Sequence, residues 1–228
     1  MDHELTNRCP VGTAPSSAPK REAGYTLIEL SAAMGVFTVF IAIFLVAVVG
    51  VSRGTTTARN TAESSSSALI VFQNLDRQVR YSDSINFPGA GGSGARYIEF
   101  RTPSANSATG VAICTQWRFV PGDERVESRS WNNVTGAALP PWTNKVNGIA
   151  DLGGVGYPFS MIAAAPGEST QQQLRLTLES GDAAIGGETS IDSVFVARNS
   201  SVLSPSNVDV NNDGNSDNPV CRPTGSRP

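Results

Sequence analysis

Histidine is nearly absent from this chain of 228 residues: the single copy is His3. It falls within residues 1–24, which read as a leader. The remainder then has no imidazole for general-base catalysis, for a Ser-His pair or for zinc ligation. That removes most familiar enzyme chemistries. Paired carboxylates of the glycosidase kind need no histidine, but the acids are scattered along the chain and read more simply as a solvated surface. The expectation is a protein that is not an enzyme. A basic excess is missing too, because 17 Lys and Arg stand against 20 Asp and Glu, a net charge of -3. Residues 1–24 hold three of each (Arg8, Lys20, Arg21; Asp2, Glu4, Glu22), so 14 and 17 remain beyond them. Without a clustered basic face there is no electrostatic footprint for nucleic acid. Cysteine is scarce: Cys9 lies in the leader, leaving Cys114 and Cys221.

Charge disappears altogether in one place. Between Glu29 and Arg53 lie 23 uncharged residues, rich in Val, Ile, Phe, Leu and Ala and free of proline. As a helix they extend roughly 34 Å, enough to cross a bilayer. A lone crossing segment must be helical, because its backbone polar groups find no water in lipid. Lys20 and Arg21 precede it, and the positive-inside rule places the N-terminus in the cytoplasm and the C-terminal part outside. Glu29 sits at the beginning of the run, where an unpaired carboxylate is costly and therefore marks a functional position. A secretory signal peptide would have a shorter apolar core with its small-residue cleavage site after it; here the small residue, Gly24, comes before.

The block Gly24-Tyr25-Thr26-Leu27-Ile28-Glu29, with its basic neighbours and the apolar run behind it, resembles the class III signal of type IV pilins and type II secretion pseudopilins. The usual form is Gly-Phe-Thr-Leu-Ile-Glu, so Tyr25 stands where Phe is commoner. The resemblance covers about residues 20–52. It implies processing between Gly24 and Tyr25 by a prepilin peptidase, methylation of the new N-terminus, and an assembly role for Glu29. In that family the carboxylate pairs with the N-terminal amine of a neighbouring subunit. It further implies other pilin or pseudopilin subunits and an inner-membrane assembly platform as partners, and one long helix over residues 25 to about 83. The lack of proline in residues 30–52 argues for an unkinked helix and a minor pilin or pseudopilin. Downstream, the strand around Trp117 that turns through Pro121-Gly122-Asp123 into Arg125–Trp131 resembles the J-type minor pseudopilin and W-type minor pilins.

The expected organisation is a cytoplasmic leader (1–24), a transmembrane and assembly helix (25–52), an amphipathic continuation (53–84) and an extracytoplasmic β-rich domain (85–228). The fold class is α+β, with the C-terminal half of a long helix packed on an antiparallel sheet. Residues 1–19, with Pro10, Pro15 and Pro19, show no period. Residues 53–67 are poor in helix formers and read as marginal helix or flexible stalk. Leu69, Phe72, Leu75 and Val79 then recur at helical steps, and Asp76 and Arg80 are spaced for an i,i+4 pair. Beyond Pro88-Gly89 and the glycines to Gly94, alternation begins: Ile98 and Phe100 face one way, Glu99 and Arg101 the other. Val111, Ile113, Thr115, Trp117 and Phe119 share a face, with Cys114 opposite. Residues 132–170 read as loop with short apolar pieces near Ile149 and Phe159–Ile162. Leu174, Leu176 and Leu178 alternate, and residues 191–198 give a last strand.

Two features of the tail remain. Cys114 and Cys221 on an exported domain point to one disulfide, tying the tail to the sheet; the alternative is two independent thiols. Asp209-Val210-Asn211-Asn212-Asp213-Gly214-Asn215-Ser216-Asp217 places oxygen side chains at positions 1, 3, 5 and 9 of an EF-hand-like loop, with Gly at 6 and the Asn215 carbonyl at 7. Position 12 is Val220, not the usual Glu. The loop reads either as a calcium site formed by Asp209, Asn211, Asp213, Asn215 and Asp217, serving structure and not required for the fold, or as a solvated Asp/Asn-rich tail. The alternative to a filament subunit is a signal-anchored extracellular binding module that depends on calcium.

Overall fold

In the computed structural model the described residues are 24–180 and 189–228. The chain divides into two compact units, Met1–Val51 and Ser52–Pro228. One α-helix, α1 (Leu27–Arg80), belongs in part to each. In the first unit every residue from Gly24 to Val51 is exposed, and the helix is long and apolar enough to cross a membrane. An all-round apolar surface with no protein to cover it is what lipid, not water, accommodates.

In the second unit α1 continues through 52–67, where the sequence pointed to marginal helix or flexible stalk. Hydroxyls of this stretch bond the helix's own backbone: Thr56 Oγ1 donates to the Ser52 carbonyl and Thr61 Oγ1 to the Thr57 carbonyl, both at 3.0 Å. Bonding the i−4 carbonyl lets such side chains stay within a helix. The buried stripe is Ala68, Val71, Leu75 and Val79, with Phe72 half-buried at its edge. Leu69, expected on that stripe, is 53% exposed. It follows Ala68 by one residue, a turn of about 100° around the axis that carries it onto the flank. The helix stops at Arg80, four residues before the expected boundary, with Arg77 and Arg80 in its last turn, where cations complement the helix dipole. Arg80 also pairs with Asp76 one turn back.

Two antiparallel sheets follow, where one was expected. The larger joins β1 (Ser84–Ile85), β2 (Gly89–Ala90), β3 (Arg96–Thr102), β4 (Ile113–Val120), β5 (Arg125–Asn132) and β6 (Thr143–Asn147). Its order is β1-β3-β4-β5-β6, with β2 also pairing β3. The smaller is β7 (Phe159–Ile162), β8 (Gln173–Ser180) and β9 (Thr189–Val196) in chain order. The β4–β5 turn is a 3₁₀ turn at Pro121–Asp123 closed by Glu124 in the left-handed region at φ 49°. Strands β6 and β7 lie inside the stretch read as loop. Each is short, four or five residues, and β6 (Thr-Asn-Lys-Val-Asn) buries only Val146, too little for its alternation to stand out.

The core of this unit forms between the helix stripe and both sheets. Ile98, Phe100, Trp117, Phe119, Val126 and Val146 come from the larger sheet, and Phe159, Leu174, Leu176, Leu178 and Phe195 from the smaller. Polar side chains are placed where the elements meet. Trp117 Nε1 donates to Gln78 Oε1 of α1 at 2.9 Å. The buried Gln172 accepts from the Ile85 N–H at 2.8 Å and donates to the Ile85 carbonyl at 3.2 Å, so one amide side chain serves the backbone of β1.

Candidate functional site

At the N-terminal block, Gly24, Tyr25 and Thr26 precede the helix and are exposed, Tyr25 at 91%. Space around Gly24 is open, and a Cβ there would meet nothing within 4 Å. The peptide bond between Gly24 and Tyr25 therefore lies in an accessible, non-helical segment. Thr26 and Glu29 form a reciprocal cap: the Glu29 N–H donates to Thr26 Oγ1 at 3.3 Å, while Glu29 Oε2 accepts from the Thr26 N–H at 2.9 Å and hydroxyl at 3.0 Å. The Thr-x-x-Glu spacing is the sequence signature of this capping box, a signal that the reading of Glu29 as an acid at the start of the membrane run passes over. It fixes the first turn and holds the carboxylate at the positive end of the helix dipole.

The two cysteines meet as expected. Cys114 of β4 and Cys221 are bonded, with Cα atoms 5.3 Å apart across 107 residues of sequence. The bond draws residues 220–228 across the face of β3–β5 that looks away from the main core. Cys114, Trp131, Val220 and Cys221 make a small apolar cluster there. Around it runs a polar network that the alternation pattern assigned to an outward face. Glu99 is fully buried, and its carboxylate accepts from Arg227 at 2.6 and 2.8 Å, from Gln116 Nε2 at 2.8 Å and from Asn86 Nδ2 at 2.9 Å. Asn86 also holds the Val220 backbone, accepting its N–H at 2.9 Å and donating to its carbonyl at 2.7 Å. The Ser226 carbonyl accepts from Gln116 Nε2 and Arg129 Nη2, both at 2.9 Å. Arg129 and Arg118 lie 4.1 and 4.2 Å from the centre of the Trp142 ring. Burial and the neighbouring Arg118 charge lower the Arg129 pKa from its ordinary value.

The Asp209–Asp217 loop is closed by its own backbone amides. Asp209 accepts from the Asp213 N–H at 3.1 Å and the Gly214 N–H at 2.9 Å; Asn211 Oδ1 accepts from Asp213 at 3.3 Å; Asp217 accepts from Val210 at 3.0 Å. Gly214 turns at φ 78°, a conformation open to glycine at little cost. Asp213 is held below the usual carboxylate range by the Asn215 N–H, at 2.8 Å, and then by the Asn211 amide. Among the described residues no group of three or more His, Cys, Asp or Glu side chains is placed to hold a metal ion. The carboxylates of Asp209, Asp213 and Asp217 each face a backbone N–H, so the loop keeps this shape without convergent acidic ligands. Val220, at the twelfth position, is buried beside the disulfide and offers no side-chain oxygen. Beside the loop, Asn212, Asp213 and Asn215 border an open groove of about 760 Å³ whose other wall includes Tyr157, Phe159 and Met161.

No protein-family model matches the chain, and no curated protein or solved structure gives a significant match.

Proposed function

We propose that this protein is a minor pilin or pseudopilin, a structural subunit of a type IV pilus or type II secretion-like filament. In this reading prepilin peptidase cuts after Gly24, the Tyr25 amine is methylated, and the helix stores the subunit in the membrane before extraction through an inner-membrane assembly platform. The observation that carries it is the Gly24–Glu29 block at the start of an α-helix without proline, followed by the exposed and uncharged run of residues 30–52. Support also comes from the second half, which seats a sheet-covered stripe in the way expected of a subunit's outer domain. Glu29 is the assembly group. The amine of Tyr25 in a neighbouring subunit would exchange for Thr26 as its partner, which offsets the cost of bringing either charge into an apolar filament interior.

Mass spectrometry of the mature N-terminus tests this, using membranes from cells with and without prepilin peptidase. The expected product begins with N-methylated Tyr25 and is lost when the peptidase is absent. A chain that retains Lys20-Arg21 in both strains overturns the proposal and leaves a signal-anchored surface module. In the filament reading a calcium ion, not required for the fold, would act as a stabiliser with Asp209, Asn211, Asp213, the Asn215 carbonyl and Asp217 as its oxygen donors. The surface-module alternative would instead depend on it for binding.

A further inference from the structure

We propose that residues 220–228 are an oxidation-locked strap, able to lift from the β3–β5 face as a unit while the core between α1 and the two sheets stays folded. Three observations point to this. The strap gives no residue to the main apolar core; its two buried apolar residues, Val220 and Cys221, belong to the separate cluster around Cys114 and Trp131. Among the described residues it pairs with no strand, so lifting it breaks no ladder seen there. Its remaining ties are polar: the Asn86 amide on Val220, the Ser226 carbonyl on Gln116 and Arg129, Arg227 on Glu99 and the Phe87 carbonyl, and the Pro228 carbonyl on Ser93 and Tyr97. Water can replace each of these once the strap leaves, and Glu99 and Arg227 would both be hydrated instead of being left buried and unpaired. The fit is close while shut. A Cβ on Gly91 would fall 2.5 Å from the Pro228 carbonyl oxygen, so the chain passes there only because residue 91 is glycine.

Besides the small apolar contact of Val220 and Cys221 with Trp131, the disulfide is the tie that water cannot replace. Opening follows thiol–disulfide exchange with a dithiol reductant. A thiolate of the dithiol attacks one sulfur, the Cys114–Cys221 bond breaks, and the second thiol closes the reductant's own disulfide. Two electrons pass to the protein, whose two cysteines end as protonated thiols. The opened face would present Asn86, Glu99, Gln116 and Arg129, a set of groups that already recognises a peptide backbone and a guanidinium. The inference does not depend on the filament reading.

Hydrogen exchange followed by mass spectrometry tests it on the full chain in detergent micelles, before and after dithiothreitol, with alkylation of Cys114 and Cys221 confirming reduction. On reduction, exchange in peptides covering 220–228 should rise about tenfold or more, as for a low-stability local opening. Peptides from β4 and β8 should remain protected throughout the time in which the strap exchanges fully. A double variant, Cys114→Ser with Cys221→Ser, should behave as the reduced protein without added reductant. Unchanged strap exchange in the alkylated protein overturns the proposal, because polar contacts alone would then keep it shut. Loss of protection in β4 and β8 together with the strap overturns it equally, since the strap would not be separable.

Discussion

The two faces of β3–β5 come from alternate residues of the same three strands, yet they are held in different ways. On the inner face Ile98, Phe100, Trp117, Phe119 and Val126 meet other apolar side chains, and nearly all the stabilisation there is area removed from water. On the outer face Tyr97, Glu99, Gln116 and Arg129 meet named partners in residues 220–228, one hydrogen bond or ion pair at a time. An apolar face depends on volume and tolerates rearrangement among residues of similar size. A polar face depends on particular atoms, and water competes for each of them. The difference predicts that the inner face fails by losing bulk and the outer face by losing one partner.

Trp117→Ala should have the largest effect. The ring is fully buried beside the α1 stripe and its Nε1 bonds Gln78, so truncation opens a cavity and orphans the Gln78 acceptor. A loss of about 3–5 kcal/mol in urea-unfolding free energy is expected. A change below about 1 kcal/mol would mean that the inner face is not the core of this unit.

Arg227→Ala sharpens the comparison. If the strap could not move, Glu99 would keep a buried, uncompensated charge and the cost would be about 3–5 kcal/mol. If the strap's end frays and admits water, only hydrogen bonds to a charged group are exchanged, and about 1.5–3 kcal/mol is expected. The second outcome is predicted, together with faster amide exchange at 222–228 and no change in β4. Glu99→Gln should cost about as much as Arg227→Ala, because an amide NH₂ would replace an oxygen that accepts from two donors, and Arg227 would lose its counter-charge.

How much of this could be read beforehand differs between the two faces. The inner face was legible: Ile98 with Phe100, and Trp117 with Phe119, alternate strongly, and the structure places them as the pattern implies. Cys114 was correctly set opposite Trp117, and its bond to Cys221 followed from there being one remaining partner. The outer face was not legible, because alternation marks a residue as polar without saying whether water or protein will meet it. Glu99 looks like a solvated carboxylate until residues 220–228 are seen to cover it. Leu69 misled for a related reason, since a large apolar residue one step from a small one draws the stripe toward itself, and Ala68 was the buried member. The Thr26–Glu29 cap was present in plain spacing but was overshadowed by the membrane argument for Glu29.

Asp209→Ala should act locally in the strap's approach. Two backbone N–H groups, of Asp213 and Gly214, lose their acceptor, worth about 1 kcal/mol between alternatives that include water. Faster exchange in 209–217 and a urea midpoint lowered by no more than corresponds to this loss, with an unchanged m-value, are expected. Calcium titration of both proteins then separates the two readings of the loop. Under the calcium proposal, added Ca²⁺ raises the thermal midpoint of the parent protein and leaves that of Asp209→Ala where it was. Equal response of both proteins removes the loop as the site.

The smallest effect lies at the rim of the inner face, where Arg96 lies 5.7 Å from the centre of the Phe119 ring and forks onto Asp151 at 2.5 and 3.0 Å. The Arg96 hydrogen bond holds the Asp151 carboxyl below its usual range, outweighing partial burial, with the Gly153 N–H assisting. The folded-state pKa is thus lower than the unfolded value near 3.9, so this pair stabilises the fold above about pH 4 and loses that contribution as the pH falls through the folded value. Asp151→Asn should therefore lower the unfolding free energy at pH 7 by about 1 kcal/mol or less, as for other partly exposed pairs. The two proteins should converge in stability as the pH drops below 4, and the gap at pH 7 should shrink in 1 M salt, where screening acts within about 3 Å. A gap that persists unchanged at low pH would mean that Asp151 does not act through its charge on Arg96; the Gly153 N–H bond could not explain it either, because an asparagine oxygen accepts that bond equally well.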